Sequence, residues 1–566
     1  MKDYLLDETS FILQFNRIPC NSESDILSSR PFGLVLRRYL QHTKKLENPD
    51  FKWILKIRQS DLISIYKALL VWPYEEVVQR LDALSHRLNR YHFFLFTEEF
   101  YNYWRKFERY GFLSRTRFDD DKSMNKRLIN TTESFSNLVL NLYRTVTEKI
   151  LDRNYHLLRQ LPAGTQANLS LVSNPWTYDA PYTKLTDNRF VTGIVITPPL
   201  MIYSKSNTRT GLFKEVFNNP LKDIELHKND YVVVAIKVGP FLTYAYIHNK
   251  FMKYAVTLGS LFEMVSFQEY KDKKPDLIYV YGINESKYDG TYFHDKENDI
   301  YAGFVSIDDK NDYFGYVKKM LLTLHNVKMI HEKKLPIHGA MFRLQLKGGK
   351  TKHVVIIGDS GAGKSETIES LRVVGEGKVT SIEIIYDDMG TFDIKDGKIV
   401  SYGTEIGAFV RLDDLDQGYA YKQIDRAVFL NPNKTNARVV LPAADYEFVM
   451  KDHKVDLLLY ANNYDETKSG LEIFDASDDA AKIFEDGKRM AKGTTSEVGM
   501  TSTYFANPFG PVQHEDLTKE LIATYFNKLK DNNIPVGVIY TKLALDGYEQ
   551  KGPQEAALKL LEYLVK

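Results

Sequence analysis

The stretch that most constrains the fold is residues 353–372, with the sequence HVVIIGDSGAGKSETIESLR. Its short apolar run, His353–Ile357, is typical of a buried strand. The residues that follow, Gly358–Ser365, match the pattern G-x-x-x-x-G-K-[ST], and the apolar spacing of Thr367–Val373 predicts a helix. Strand, glycine-rich loop and helix in this order are the setting in which the pattern binds phosphate.

We therefore predict that this loop binds the phosphates of a nucleoside triphosphate, ATP or GTP. Its glycines let successive backbone N–H groups turn toward phosphate oxygens, and the following helix adds the positive end of its dipole. The Lys364 ammonium reaches the outer phosphates, and the Ser365 hydroxyl is suited to a phosphate-bound Mg²⁺. The predicted nucleotide-binding residues are Gly358, Asp359, Ser360, Gly361, Ala362, Gly363, Lys364 and Ser365.

Composition excludes several classes of protein. The net charge of +1 gives no general attraction to nucleic acid or to an acidic membrane surface. No apolar stretch approaches the roughly 18 residues of a membrane span, and the first residues lack the apolar segment of a signal peptide. The single cysteine, Cys20, excludes an intramolecular disulfide. We expect a cytoplasmic protein that binds neither nucleic acid nor membrane.

Three regions are predicted, because 566 residues are too many for one hydrophobic core. Residues 1–162 are expected to be mostly helical, including a helix through Phe135–Ile150 that ends before Pro162. Residues 165–335 are interpreted as a mixed α/β lobe, and residues 336–566 as the lobe that binds nucleotide and metal. The clearest predicted strands are Phe190–Thr197, Tyr231–Val238, Asp276–Tyr281, Lys378–Tyr386, Asp456–Tyr460 and Val536–Tyr540. The predicted fold class is α/β.

A pair of acids follows a second apolar run, in Ile384-Ile385-Tyr386-Asp387-Asp388. Magnesium prefers oxygen ligands, and carboxylates at the end of a strand can bind the ion or its water. Because the pair lies shortly after the phosphate loop in sequence, we interpret Asp387 and Asp388 as candidates for a cation site.

Two further segments make the chain resemble the phosphoenolpyruvate carboxykinases, which share their fold with the HPr kinases. Tyr313–Met320, YFGYVKKM, resembles the carboxykinase segment that ends in a Lys-Lys pair. Leu335–His338, LPIH, resembles the later segment that carries a metal-binding histidine. The resemblance covers roughly residues 300–566. It implies a two-lobed, carboxykinase-like fold with a phosphate-loop lobe, preceded here by the helical N-terminal region.

The resemblance also implies roles for individual residues. Lys319, His338 and Asp388 would bind a catalytic Mn²⁺, with Asp387 supporting the site, and Tyr313 would face the substrate. A lysine binds a cation only when neutral, so the pKa of Lys319 must fall far below its usual ~10.4. Burial and a nearby dication both act in that direction.

Two later residues extend the resemblance. Glu405, in YGTEIGAF, matches a glutamate that precedes a run of small residues, and Arg438, in NARVVLP, matches an arginine near the transferred phosphoryl group. The chain lacks the Gly-Arg-Ser-Pro segment that binds substrate in ATP-dependent carboxykinases, and Arg209 is the candidate residue to replace its arginine. An Arg-Ser/Thr segment near the adenine is also missing around 550–557. The amino-acid sequence of the phosphate loop itself is more similar to that of the HPr kinases.

Three functions follow as hypotheses. The first is carboxykinase-type phosphoryl transfer, converting oxaloacetate and ATP into phosphoenolpyruvate, CO₂ and ADP, with Lys319, Lys364, Asp387 and Arg438 as catalytic residues. The second is an HPr-kinase-like serine kinase acting on a protein or small-molecule hydroxyl, with Asp387 or Asp388 as base. The third is a catalytically weak nucleotide-binding scaffold whose helical N-terminal region binds a protein partner.

Overall fold

The computed structural model describes residues 3–16, 20–81, 89–115, 121–151, 164–174, 176, 178–209, 211–412, 424–474, 478–491 and 499–566. Contacts within the chain group into two compact units. The first comprises residues 1–173 and 191–201, and the second comprises residues 174–190 and 202–566. The division into residues 1–162, 165–335 and 336–566 stays a prediction. The α/β class is confirmed, since helices and mixed sheets occur together.

The first unit combines a sheet with several helices. Its strands follow one another across the sheet in chain order: Tyr4–Leu6, Ser10–Gln14, Glu108–Arg115, Gln166–Ser173 and Arg189–Ile196. Its α-helices are Glu23–Ser28, Arg30–Leu46, Gln59–Leu69, Tyr74–Arg80, Arg90–Arg105 and Asp121–Leu151, and its 3₁₀ turns are Pro49–Phe51 and Ile54–Lys56. Aliphatic and aromatic side chains from these helices form the hydrophobic core of the unit.

This unit adds strands to a region that was predicted to be mostly helical. The region 1–162 is not only helical, because it contributes the strands Tyr4–Leu6, Ser10–Gln14 and Glu108–Arg115 to a sheet. These strands are short and stand between strongly periodic helical segments, so little of their pattern is visible in the sequence. The predicted end of the long helix before Pro162 lies outside the described residues.

The first sheet of the second unit lies before the phosphate loop in sequence. Its strands run in the order Tyr231–Val238, Phe241–His248, Leu277–Ile283, Ile300–Ser306, Thr291–Asp295 and Lys214–Glu215, and Glu263–Met264 also pairs with Tyr231–Val238. The neighbouring helices are Met252–Leu261, Phe267–Tyr270 and Phe314–His331. The 3₁₀ turns of this part are Tyr182–Leu185, Pro220–Lys222, Asn249–Phe251, Ser286–Tyr288 and Asp309–Asn311.

The second sheet of this unit carries the phosphate loop. Its strand order is His453–Lys454, Lys398–Gly403, Met389–Lys395, Leu335–Leu346, Thr351–Ile357, Leu457–Asn462, Val536–Tyr540 and Gly470–Phe474. Val379–Tyr386 pairs with Leu335–Leu346 as well. Thr351–Ile357, Leu457–Asn462 and Val536–Tyr540 are parallel, whereas Leu335–Leu346 is antiparallel to its neighbours.

Hydrophobic layers cover both faces of this second sheet. Val354 and Ile356 point into the layer that contains the helices Lys364–Val374 and Lys551–Val565. Val355 and Ile357 point into the opposite layer, which includes the helix Glu515–Asp531. A strand buried on both faces needs no polar alternation, which is why its sequence is a continuous apolar run.

The remaining elements of the second unit are small. The strands Gly407–Arg411, Arg438–Pro442 and Val428–Leu430 pair in that order, and Lys488–Met490 pairs with Met500–Ser502. Short helices are Tyr446–Met450 and Asp478–Asp486, with a 3₁₀ turn at Tyr504–Ala506, and the strand Leu200–Ile202 lies at the boundary of the two units. Within the described residues, no helix combines the length and apolar character needed to cross a membrane.

Candidate active site

The phosphate loop lies between the strand Thr351–Ile357 and the helix Lys364–Val374, in the predicted order. Gly361 and Gly363 have φ angles of 79° and 94°, in the left-handed region that favours glycine. A Cβ atom on Gly363 would lie 2.6 Å from the Cβ atom of Thr541, so no larger residue fits there. The backbone thus requires glycine at position 363 and favours it at position 361.

Lys364 and Ser365 begin the helix and face the loop. The buried Lys364 Nζ donates hydrogen bonds to the carbonyl oxygens of Gly358, over 2.6 Å, and Asp359, over 3.3 Å. Ser365 Oγ donates to Asp387 Oδ1 over 3.2 Å. The ammonium group is therefore held by neutral carbonyl oxygens, which the more negative oxygens of a phosphate can replace.

The Asp359 side chain fixes the loop from within the protein. Its Oδ2 accepts a hydrogen bond from Arg489 Nε over 2.9 Å, and its Oδ1 accepts one from the backbone N–H of Ser360 over 2.7 Å. Asn463 Nδ2 donates to the carbonyl oxygen of Gly361 over 3.0 Å and holds the opposite side of the loop. Asp359 is thus a structural member of the loop, and Arg489 is a partner that the sequence pattern did not reveal.

The strand Leu335–Leu346 brings the loop and the acid pair together. The backbone N–H of Gly358 donates to the carbonyl oxygen of His338 over 3.1 Å, at the entrance of the phosphate loop. The next residue, Gly339, donates its own N–H to the carbonyl oxygen of Asp388 over 3.0 Å. His338 therefore lies between the loop and the acids, although the three segments are separate in sequence.

Three basic side chains converge on Asp388. Lys318 Nζ lies 2.8 Å from Asp388 Oδ2 and 3.0 Å from Glu405 Oε1, and Lys319 Nζ lies 3.1 Å from Asp388 Oδ2. His338 Nε2 lies 2.9 Å from Asp388 Oδ1. Both lysines come from the helix Phe314–His331. The predicted trio of Lys319, His338 and Asp388 is therefore assembled in space.

The protonation preferences of the cluster differ between the two lysines. Burial lowers the pKa of Lys319, and Lys318 lowers it further against the opposing effect of Asp388. For Lys318 burial acts in the same direction, but Asp388 and Glu405 outweigh it and raise the pKa. The direction for Lys319 is the one that a cation-binding lysine requires.

The carboxyl groups also differ. Burial would raise the pKa of Asp388, but Lys318 and Lys319 lower it well below its ordinary value. Burial raises the pKa of Glu405 to about 7, and burial together with Asp388 raises that of Asp387. Asp388 is thus the member of the acid pair whose pKa favours the charged form.

The ring of His338 is oriented by the backbone. Its Nδ1 lies 2.8 Å from the carbonyl oxygen of Ala506, which can only accept a hydrogen bond, so Nδ1 carries a proton. Phe505 and Ala506 have φ angles of 52° and 51°, an uncommon conformation for residues other than glycine. The local turn thus places a carbonyl oxygen behind His338 and leaves Nε2 toward Asp388.

Two phenylalanine rings lie against the lysine pair. Lys318 Nζ is 5.5 Å from the ring centre of Phe409, and Arg438 Cζ is 5.6 Å from the same centre. Lys319 Nζ is 4.5 Å from the ring centre of Phe509, and Arg209 Cζ is 5.4 Å from it. Each lysine thus shares an aromatic neighbour with one arginine.

The residues predicted to face substrate lie near the lysine pair and its two phenylalanine neighbours. Tyr313 is buried at the start of the helix Phe314–His331, and burial raises its pKa while Arg438 and Arg209 oppose that change. Arg209 lies beside Tyr313 although its sequence context does not match the expected motif. Glu405 forms an ion pair with Lys318, and its role toward substrate stays a prediction.

Lys318, Phe409 and Phe509 were not predicted as site residues. The Lys-Lys pair was visible in the sequence, but nothing in it indicated which lysine pairs with two carboxylates. The two phenylalanines look like ordinary core residues, since only their contacts with cations distinguish them.

The donor set is compatible with a divalent cation. Asp388 offers a carboxylate oxygen, His338 a ring nitrogen and Lys319 an amine, with neighbouring donor atoms 2.9 and 3.1 Å apart. Within the described ranges, no group of three His, Cys, Asp or Glu side chains could hold a metal ion. A cation here would therefore depend on the Lys319 amine.

Comparisons with known proteins add no assignment. The chain matches no model of a known protein family, and it matches no curated protein.

Proposed function

We propose that this chain catalyses nucleotide- and metal-dependent phosphoryl transfer of the phosphoenolpyruvate carboxykinase type. Oxaloacetate would lose CO₂, and the enolate oxygen left behind would attack the γ-phosphorus of ATP and displace ADP. The observation that carries the proposal is the convergence of Lys319, His338 and Asp388 beside the phosphate loop, with Arg209 also near the Phe509 ring.

Arg209 is the main support for a small carboxylate as substrate. A planar guanidinium pairs with a carboxylate through two parallel hydrogen bonds. Its Cζ lies 5.4 Å from the Phe509 ring centre, which is also the aromatic neighbour of Lys319. A dicarboxylate bound by Arg209 would therefore lie next to the candidate cation site.

On the phosphate side, two cationic side chains and the backbone of the loop support the proposal. Lys364 and the backbone N–H groups of the loop would bind the outer phosphates, and Arg438 would stabilise charge on the transferred group. Mn²⁺ at Lys319, His338 and Asp388 would supply Lewis-acid stabilisation of the enolate, and Mg²⁺ at Ser365 would neutralise phosphate charge. Lys318 keeps Asp388 charged and so suited to bind a cation.

The test is formation of phosphoenolpyruvate from oxaloacetate and ATP or GTP with Mn²⁺ present. We expect turnover in the unmodified chain and a loss of about 100- to 1,000-fold in kcat for Lys364→Ala, the range found when one charge-stabilising group is removed. Lys378→Ala is the matched control, because Lys378 is exposed and lies outside the site. Folded protein that binds nucleotide but forms no phosphoenolpyruvate with either nucleotide would refute the proposal.

One observation favours a second candidate, a kinase that phosphorylates a hydroxyl group. Asp387 has a raised pKa and accepts a hydrogen bond from Ser365 over 3.2 Å, so a carboxyl group suited to a general base lies beside the loop. In this case labelled γ-phosphate would pass from ATP to serine or to a protein, and the transfer would disappear in Asp387→Asn. Labelling that is unchanged in that variant would exclude this role for Asp387.

A further inference from the structure

The first unit contains two adjacent cavities that no part of the proposed phosphoryl transfer uses. One, of about 120 Å³, has almost entirely apolar walls. The other, of about 210 Å³, has mixed walls that include Arg105 and Arg109. The cavities share the wall residues Phe11, Leu13, Tyr101, Trp104, Phe135 and Val139. Together they form an apolar space next to a cationic one.

Arg109 is the unusual member of the polar cavity. Only 9% of it is exposed, and its buried Nε has no hydrogen-bond partner among the residues that the structure describes. Burial and Arg105, a second cation, lower the pKa of Arg109 to about 10, and Tyr101 opposes these effects. No Asp or Glu is among the described residues that line either cavity. Among the residues that the structure describes, the buried guanidinium of Arg109 therefore lines a cavity that has no compensating anion.

We propose that these cavities bind a monocarboxylate with a hydrocarbon tail, such as a medium-chain fatty acid. Arg109 pairs with the carboxylate in the polar cavity, and the apolar cavity receives the tail. This site is independent of the phosphoryl-transfer site, and its test does not depend on the proposed reaction.

The chemistry of both cavities fits this ligand. The guanidinium fork matches a carboxylate and remains charged at neutral pH. An apolar cavity of about 150 Å³ stays dry and accepts hydrocarbon, and the aromatic and aliphatic walls here are of that kind. An unpaired buried charge destabilises a folded protein. Its presence is explained when a ligand supplies the missing negative charge.

Titration calorimetry on the full-length chain separates the head group from the tail. The probes are octanoate, acetate, which has the head alone, and 1-octanol, which has the tail alone. Because each buried CH₂ contributes about fourfold in affinity, octanoate should bind more than about 100-fold tighter than acetate. It should also bind at least about tenfold tighter than 1-octanol, which lacks the charge-assisted hydrogen bonds. Equal binding of acetate or of 1-octanol, or no binding of octanoate, overturns the proposal.

Variants then assign the contacts. Arg109→Leu should weaken octanoate binding at least about tenfold and raise the melting temperature of the ligand-free protein, because an unpaired buried charge is removed. A purely structural arginine would give a lower melting temperature instead. Val35→Phe fills the apolar cavity from the helix Arg30–Leu46 and should also weaken octanoate binding. Arg58→Leu is the control, because the Arg58 side chain is 82% exposed.

Each of these variants has an outcome that refutes the assignment. Unchanged octanoate affinity in Arg109→Leu would remove the guanidinium from the site, and unchanged affinity in Val35→Phe would remove the apolar cavity. If Arg109→Leu does not fold, the comparison of octanoate, acetate and 1-octanol on the unmodified chain still decides the matter.

Discussion

Two buried cations in this molecule have opposite surroundings. Lys318, in the second unit, is 0% exposed and lies 2.8 and 3.0 Å from the carboxylates of Asp388 and Glu405. Arg109, in the first unit, is 9% exposed and has a second cation, Arg105, as its main charged neighbour. Carboxylates of the chain compensate the first charge, whereas no described residue of the first unit supplies an anion for the second.

This difference separates a buried charge that is paired within the chain from a buried charge that has no anionic partner among the described residues. Removing one partner of a compensated buried pair leaves an uncompensated charge, which is strongly destabilising. Removing an uncompensated charge has the opposite sign. Substitutions at Lys318 and Arg109 should therefore change the stability of the ligand-free protein in opposite directions.

The largest expected effect is at Lys318. Lys318→Met leaves Asp388 and Glu405 facing each other with one cation fewer, and we expect it to lower the free energy of unfolding by about 3–5 kcal/mol. Urea unfolding followed by circular dichroism measures this change. A cost below about 1 kcal/mol would mean that the cluster is not compensated as its distances indicate, and the contrast with Arg109 would fail.

A second prediction concerns a buried group that avoids charge altogether. Burial lowers the pKa of His325 from 6.5 to about 4. Between these values the unfolded chain binds more protons than the folded one, so stability is complete above pH 6.5 and falls as the pH approaches 4. Relative to His325→Gln, the unmodified protein should lose up to about 3 kcal/mol over this window. Parallel stability curves for the two proteins would contradict the prediction.

The third prediction concerns Arg209, an arginine beside the proposed phosphoryl-transfer site. Arg209→Met should raise the KM for oxaloacetate about 10- to 100-fold, since charge-assisted hydrogen bonds contribute about 1.5–3 kcal/mol. Nucleotide affinity, measured by calorimetry, should stay unchanged, because Arg209 has no described contact with the loop. Arg372→Met, in an exposed ion pair with Glu369, is the matched control. An unchanged KM in Arg209→Met would remove this arginine from substrate binding.

The smallest effect is expected at an exposed pair. Lys395 Nζ lies 2.6 Å from Asp452 Oδ1, closer than Lys318 lies to its partners, but the two side chains are 47% and 41% exposed. Lys395→Met should lower the free energy of unfolding by less than about 1 kcal/mol, because water and salt screen the pair. A cost as large as that of Lys318→Met would show that burial is not the variable that separates these cations.

The sequence predicted the local structure of the phosphate loop well, because its constraints are local. Gly363 must adopt a positive φ beside Thr541, and the apolar strand before it is buried on both faces. Physical rules for single residues are enough to predict such features. The family resemblance placed Lys319, His338 and Asp388, which the structure brings together.

What the sequence did not predict depends on distant partners. Phe509 is an unremarkable apolar residue until the fold places it beside Lys319 and Arg209. Arg109 belongs to a short strand inside a region expected to be helical, so neither its strand nor its burial was anticipated. The ion pair between Glu405 and Lys318 was not anticipated, because it depends on which segment lies near the helix Phe314–His331.

The strand Leu335–Leu346 has a further consequence for how the second unit would respond to the proposed nucleotide and cation. Its residues 338 and 339 hydrogen-bond both to the entrance of the phosphate loop and to Asp388. A shift of this strand on binding of nucleotide would therefore change the geometry at Asp388, and a shift on binding of cation would change the geometry of the phosphate loop. By thermodynamic reciprocity, any gain in cation affinity caused by nucleotide equals the gain in nucleotide affinity caused by cation. The two affinities cannot be tuned separately through this strand.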